Sequence, residues 1–443
     1  MPEPAPKKLF HIATFGCRTN QADTAALRDE FFQSSFQETD DSSLADVVVV
    51  NSCTVTHRSD QQVRQLVRRF RRLNPEAKLV VTGCYAQRSP RELASIPGVT
   101  AVVGNTHKGR LVQLTELVGV NPAGFVELAP VYRDSFDGSR ALEPSPARRT
   151  GGRTRPFVKI QDGCDARCTY CIIPSVRGPG RSLPPDQVLG QVGRLVGLGF
   201  REIVLTGIHL GTYGRYLDPP FRLHRLLEEL LQIEHLERIR LSSIEPMELS
   251  RRVLGIIEES QGRIAPHFHI CLQSGCDRTL KRMLRPYTAD RFAGLVEEVR
   301  SRIPEAGIGT DVIAGFPGEK EEEYRESRRF VERMPFSYLH VFPYSDRSGT
   351  VASQMGDKVA ATTIQRRCRE LREISDSKNS QFRRSFIGEC LSGLTLDQME
   401  AGRRSVITGN YLKGLVDPSL APNRMVSLKV LGEDDAGRLI LGN

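Results

Sequence analysis

Three short apolar runs near the start of the chain each stop on a cysteine: HIATFGC ends on Cys17, VVVVNSC ends on Cys53, and VVTGCYAQ carries Cys84. The runs belong to a longer alternation. The β-branched segments LFHIAT (9–14), DVVVVN (46–51), LVVTG (79–83) and TAVVG (100–104) take turns with helix-patterned segments over residues 9 to about 130. The clearest helix is expected to begin at Ser59, with Gln62 completing a capping box. It places Val63, Leu66, Val67 and Phe70 on one face and stops at Asn74-Pro75. Strand, helix, strand, helix predicts an open parallel sheet, in which ligands collect outside the carboxyl ends of the strands. Cys17, Cys53 and Cys84 all fall at such ends, so distant thiols come near enough to share one metal centre. Taken singly, each is as readily a small buried hydrophobe. Three in matching positions weigh against that.

The compartment decides how ten cysteines are read. No run approaches the roughly 20 apolar residues of a membrane span, and MPEPAPKKLF lacks the apolar segment of a signal peptide. A cytoplasmic protein is expected, where thiols serve as metal ligands or catalytic groups before they serve as disulfides. The 443 residues predict about three domains. A balance of 62 Lys+Arg against 53 Asp+Glu leaves +9, which favours a polyanionic partner. The helix from Ser59 carries Arg64, Arg68, Arg71 and Arg72, either a solvated stripe or a contact surface for phosphates. After the first domain (1–135), a Pro-, Gly-, Ser- and Arg-rich stretch without apolar period reads as a basic linker over 136–153. Arg148, Arg149 and Arg153 there, with Arg155 just beyond, are solubilising, or serve an interdomain site for nucleic acid.

The next domain (154–378) opens on FVKIQDGCDARCTYCIIP, where Cys164, Cys168 and Cys171 form a CxxxCxxC directly after a strand. Three thiolates at this spacing can wrap one cluster, and a 4Fe-4S cube held by three cysteines leaves one iron open to another ligand. A zinc knuckle would offer a fourth Cys or His close by. None stands near in the sequence.

This loop, with Tyr170 before its last cysteine, resembles that of the radical S-adenosylmethionine (SAM) enzymes, whose open iron chelates SAM. FVKIQ, REIVLTG, RIRLSS, HFHICLQ, GIGTDVIAG and YLHVFPY supply six strands with helical connections, matching a partial (β/α)6 barrel. The strand-end cysteines, this barrel and a short carboxy-terminal domain together resemble the methylthiotransferases over essentially the whole chain. NSCTVT, GCYAQ, CTYCIIPSVRG, LTGIHLGTYG, HFHICLQSG and DVIAGFPGE most resemble the members that act on N6-threonylcarbamoyladenosine beside the tRNA anticodon.

The resemblance implies two 4Fe-4S clusters, one on Cys164, Cys168 and Cys171 for SAM and an auxiliary one on Cys17, Cys53 and Cys84. It places Tyr170 near adenine, Thr206 and Gly207 at the amino acid end of SAM, and Ser242, Ser243 and Glu245 along the pocket. Gln273 and Asp311 are expected at later strand ends, with Gly315, Pro317 and Gly318 shaping a turn beside SAM. His267 and His269 read as satisfied barrel histidines, Cys271 and Cys276 depart from the family wording, and Cys368 and Cys390 read as structural. The implied partners are the tRNA anticodon stem-loop, an electron donor such as flavodoxin or ferredoxin, and a sulfur source, with the enzyme a monomer. Two other readings stay open: a noncatalytic iron–sulfur RNA-binding protein, and the same chemistry on isopentenyladenosine tRNA or a ribosomal protein.

Residues 379–443 break into short strands with Gly and Asp turns and resemble a TRAM domain, a small all-β RNA-binding barrel. RSVITGNYLKGLV reads as one of its strands. Arg403, Arg404, Tyr411 and Lys413 would offer charge and a stacking face, or a plain solvated surface. The expected whole is an α/β protein: an open parallel-sheet domain, a radical SAM partial barrel and a TRAM-like barrel.

Overall fold

The computed structural model describes residues 7–119, 128–136, 142 and 154–442. The first domain holds β1 (Leu9–Thr14), β2 (Gln37–Glu38), β3 (Val47–Ser52), β4 (Lys78–Gly83), β5 (Ala101–Val103) and β6 (Val131–Tyr132) in one sheet of order β2-β1-β3-β4-β5-β6. Every neighbouring pair is parallel. Strand β3 is buried at every residue because helices cover both faces. Val48 and Val50 share a core with Val63, Val67 and Phe70 of helix His57–Leu73. Val47 and Val49 share another with Leu27 and Phe31 of helix Arg18–Gln33. A period-two strand thus feeds two cores, which is why it reads as a continuous apolar run.

Helix His57–Leu73 starts earlier than its capping-box pattern predicts. Thr56 is the N-cap, and its hydroxyl accepts from the Ser59 amide at 3.2 Å.

The second domain begins with β7 (Phe157–Lys159). A short antiparallel pair, β8 (Gln161–Asp162) and β9 (Arg181–Ser182), then closes the base of the cysteine loop. Next come β10 (Glu202–Thr206), β11 (Arg238–Leu241), β12 (His267–His269), β13 (Gly307–Ala314) and β14 (Tyr338–Pro343). Two parallel arcs, β7-β10-β11 and β12-β13-β14, are joined by a parallel bridge between Ile244 and Ile270. Strand order therefore follows chain order around an open six-strand barrel. The first domain reaches both sides of its opening: Asp23 meets Lys159 of β7 at 2.5 Å, and Asp60 meets Arg347, beyond β14, at 2.6 Å.

Helix Ala361–Arg384 leads to β15 (Cys390–Glu400), β16 (Arg403–Thr408), β17 (Lys413–Val416), β18 (Met425–Glu433) and β19 (Leu439–Gly442), a closed barrel of order β15-β16-β17-β19-β18. RSVITGNYLKGLV is two strands rather than one. The chain reverses between Thr408 and Lys413, with Tyr411 at φ 72°.

Candidate active site

Strands β1, β3 and β4 lie side by side, so the cysteines beyond their carboxyl ends meet. The thiol of Cys53 is pushed up to about 11 by burial and then by the neighbouring thiols of Cys84 and Cys17. Cys17 is the N-cap of helix Arg18–Gln33. Asn105 donates to the Cys84 sulfur at 3.7 Å, and the carboxamide oxygen of Asn20 lies 3.9 Å from it. Gly83 takes φ +95°, and a Cβ there would collide with the Ser52 carbonyl. The strand can pass directly into Cys84 only because the preceding residue is glycine.

Gly163 plays the same part before Cys164: its φ is +72°, and a Cβ would strike the Pro179 carbonyl. In the CxxxCxxC loop the Cys164 sulfur lies 3.6 Å from His209 Nδ1, and Arg285 donates to the Cys168 sulfur at 3.2 Å. Burial lifts Cys164 to about 11 and Cys171 to about 12. Such thiols bind a metal with release of protons. The two cysteine sets share one support. Ile172 and Val176, straight after Cys171, pack on Cys84. In the same turn, Arg177 donates to Asn20, to Asp23 (3.1 Å) and to Asp162 (2.9 Å). Burial opposes the Arg177 charge, but Asp162, Cys84, Asp23 and Cys17 outweigh it and hold the guanidinium firmly protonated beside the first cysteine set.

Tyr170 packs with Met283, Phe316 and Ala352, and burial raises its hydroxyl well above the usual range. Thr206 ends β10, and a Cβ on Gly207 would lie 2.9 Å from the Gln161 side chain, so nothing larger fits there. Ser242 is buried and its hydroxyl has no partner among the described residues, whereas Ser243 is exposed. A buried hydroxyl without a protein partner is free to bond water or a polar ligand. Glu245 is half-buried and ion-paired to Arg285. Gln273 adopts φ 70° and bridges to Val312. Asp311 lies inside β13 rather than at its end, because that strand runs on to Ala314. Its carboxylate meets His269 Nε2 at 3.2 Å and His340 Nδ1 at 3.4 Å, and the Cys271 sulfur lies 3.8 Å away. The histidines are satisfied at one nitrogen only: His267 pairs with Tyr338 (2.8 Å), but Nδ1 of His267 and of His269 has no partner among the described residues.

Several arginines taken as open to phosphate have protein partners instead. Arg64 bonds Tyr85 and ion-pairs with Glu92 at 2.9 Å. Arg71 is buried and donates to the carbonyls of Pro75, Ala77 and Gly98. Arg155 faces buried Glu202 at 3.5 Å, and Arg404 donates to the Leu396 carbonyl at 3.0 Å. Arg68, Arg72, Arg403 and Lys413 are exposed, whereas Arg148, Arg149 and Arg153 lie outside the described residues. Tyr411 offers no free stacking face: its ring lies on His267 with centroids 4.3 Å apart, and Arg18 and Arg240 sit against it. The sequence reading missed His209, Arg285, Arg177, Asn20 and Arg18. Arg18 carried a local signal, its place next to Cys17, and Arg177 and His209 lie inside CTYCIIPSVRG and LTGIHLGTYG.

The partial barrel with its three-cysteine loop defines a radical SAM enzyme. Two family descriptions match: "Uncharacterized protein family UPF0004" over residues 9–104 and "Radical SAM superfamily" over residues 158–331. The protein named threonylcarbamoyladenosine tRNA methylthiotransferase MtaB of Aquifex aeolicus is 40% identical over 403 residues, 90% of this chain and 94% of that one. Its namesake in Bacillus subtilis is 39% identical, covering 91% and 89%. The tRNA-2-methylthio-N(6)-dimethylallyladenosine synthase of Natranaerobius thermophilus is 33% identical, covering 85% and 84%. Among solved structures, the radical S-adenosylmethionine methyltransferase TsrM of Kitasatospora setae shares the fold, with a TM-score of 0.55 at 15% identity over 76% of this chain and 75% of that one. The chain belongs to the methylthiotransferase family of radical SAM enzymes, a membership that implies a 4Fe-4S cluster and SAM. No described helix is long and apolar enough to cross a membrane.

Proposed function

We propose that this enzyme replaces the hydrogen on carbon 2 of N6-threonylcarbamoyladenosine, at position 37 beside the tRNA anticodon, with a methylthio group, using two SAM molecules and two 4Fe-4S clusters. The observation that carries this reading is the support shared by the two cysteine sets, with Ile172, Val176 and Arg177 joining the loop of Cys171 to Cys84 and Asn20. Cys164, Cys168 and Cys171 would hold the cluster that binds SAM, and Cys17, Cys53 and Cys84 a second one. Carbon 2 of adenine carries no acidic proton, and the SAM cluster, when bound, supplies the electron that generates a 5′-deoxyadenosyl radical able to attack such a C–H bond.

The chain's own residues hold and orient. Arg177 keeps a cation beside the first cysteine set, and Arg285 keeps one beside Cys168. Tyr170 closes over adenine, Thr206 and Gly207 border the amino acid end of SAM, and the unpaired Ser242 hydroxyl offers a hydrogen bond to it. The RNA is approached by exposed Arg68, Arg72, Arg403 and Lys413, while an external donor such as flavodoxin or ferredoxin supplies electrons and a further source supplies sulfur. Relatives at 39–40% identity bear the threonylcarbamoyl nucleoside in their names, against 33% for the dimethylallyl enzyme, and this favours the former substrate.

The test is anaerobic turnover of the reconstituted protein with SAM, dithionite and sulfide on two anticodon stem-loops, one carrying each nucleoside, read by nucleoside mass spectrometry. Methylthiolation of the threonylcarbamoyl stem-loop is expected. Product on the isopentenyl stem-loop alone would move the substrate to that nucleoside, and SAM cleavage without product on either would remove tRNA as substrate.

A further inference from the structure

Arg18 follows Cys17 directly, and among the described residues its guanidinium has no carboxylate partner. That is unusual company for this molecule. The other arginines at the domain junctions each face a carboxylate: Arg177 faces Asp23 and Asp162, Arg240 and Arg155 share Glu202, Arg347 faces Asp60, and Arg285 faces Glu245. Arg18 is held by neutral groups instead. It donates to the Tyr411 hydroxyl at 3.1 Å and lies 5.6 Å from the centre of that ring, which is itself stacked on His267. The aromatic contact fixes a half-buried cation without spending its charge.

Its position is set by both halves of the site. From His267 the polar lining continues through Tyr338 to the group of His269, His340 and Asp311. Cys271 then leads on to Arg285, which touches Cys168. This one wall of the barrel interior connects Cys168 to the residue after Cys17. A base whose reacting carbon lies between the two cysteine sets would rest against it. His340 is 55% exposed in its side chain although its ring touches the buried His269 and Asp311, so the wall is open to a ligand at that point.

We propose that Arg18, held by Tyr411, binds the carboxylate of the threonylcarbamoyl group and is the residue by which this enzyme selects an anionic modified adenosine over an apolar one. The proposal rests on the function argued above and names the group that reads its substrate. A guanidinium matches a carboxylate in a bidentate fork, and an apolar prenyl chain in the same place would leave that cation desolvated and unpaired.

The experiment measures binding of the reconstituted protein to three anticodon stem-loops carrying threonylcarbamoyladenosine, its methyl ester or isopentenyladenosine, with wild type, Arg18→Gln and Arg18→Lys. For wild type, esterification alone should weaken binding about 10- to 100-fold, the loss expected for one charge-assisted hydrogen-bond pair. Arg18→Gln should bind acid and ester alike, Arg18→Lys should keep a preference for the acid, and the iron content of all three proteins should agree. Equal binding of acid and ester by wild type overturns the proposal whether or not a variant folds. An equal loss on all three RNAs in Arg18→Gln also overturns it and makes Arg18 a phosphate contact. Failure of wild type to methylthiolate the threonylcarbamoyl RNA is a separate result, which removes the function argued above.

Discussion

Arg177 of the barrel and Asp23 of the first domain form an ion pair at 3.1 Å in which both side chains are almost fully buried, 2% and 3% exposed. Asp23 also takes Lys108 at 2.9 Å and Lys159 at 2.5 Å. Burial alone would raise its carboxyl, but these three cations hold it well below the usual carboxylate range. Among the described residues, removing the anion leaves Lys108 without a carboxylate and Arg177 and Lys159 with Asp162 alone. Asp23→Asn should therefore cost about 3–5 kcal/mol of stability, the price of breaking a buried pair. Urea unfolding at neutral pH checks it, and a loss under about 1 kcal/mol, the scale of an average substitution, would show that the junction tolerates the loose charges.

Gly83→Ala adds one methyl group at φ +95° against the Ser52 carbonyl, displacing Cys84 from the sheet edge. After anaerobic reconstitution the wild type should hold about eight irons and this variant about four, as should the triple Cys17→Ala, Cys53→Ala, Cys84→Ala variant. Gly163→Ala should give the complementary loss, with the remaining four on the first cysteine set. An unchanged count in Gly83→Ala would mean that the backbone there has slack the geometry does not show.

The sheet, the six-strand barrel and the meeting of the cysteines were legible because each rests on a local pattern: a period-two apolar run, a Gly-Cys step at its end, a tight cysteine loop. The interdomain charges were not. Arg177 and Arg347 find their first-domain acids 154 and 287 residues away, and nothing in a linear pattern separates such an arginine from a solvated one. Arg64 and Arg71 could not be told from a solvated stripe or a phosphate contact for the same reason, each lying on a helix face that looks polar until its neighbours are placed. Tyr411 looked free because it sits in a Gly-Asn turn, yet that turn is the part of the C-terminal barrel pressed onto His267 and Arg240.

His267 lies in that junction, and burial first, then the charges of Arg240 and Arg18, keep its imidazole well below its ordinary 6.5. The unfolded chain takes up a proton near pH 6.5 while the folded one does not, so stability rises with pH through this window. The neutral ring stabilises fully above about pH 6.5, and the contribution is lost as pH falls towards the folded-state value. Thermal midpoints measured from pH 7.5 to 5 should fall on the acid side, and His267→Gln should flatten that fall. An identical slope in the variant would assign the acid sensitivity to other groups.

Arg68 and Arg72 are exposed on helix His57–Leu73, whereas Arg64 is tied to Glu92 and Arg71 is buried. If the helix meets the tRNA backbone, Arg68 and Arg72 are free to release counterions, as Arg64 and Arg71 are not. Arg68→Gln with Arg72→Gln should then lower the slope of log affinity against log salt by about 1.4 to 1.8, at 0.7 to 0.9 per phosphate contact. Arg64→Gln should change the slope little and act through the lost Tyr85 and Glu92 contacts instead. A titration of stem-loop binding between 50 and 200 mM salt, roughly the range over which such contacts are resolved, separates the cases. An unchanged slope in the double variant would leave the stripe as a solvated face and direct the search for RNA contacts to Arg403 and Lys413 on the C-terminal barrel.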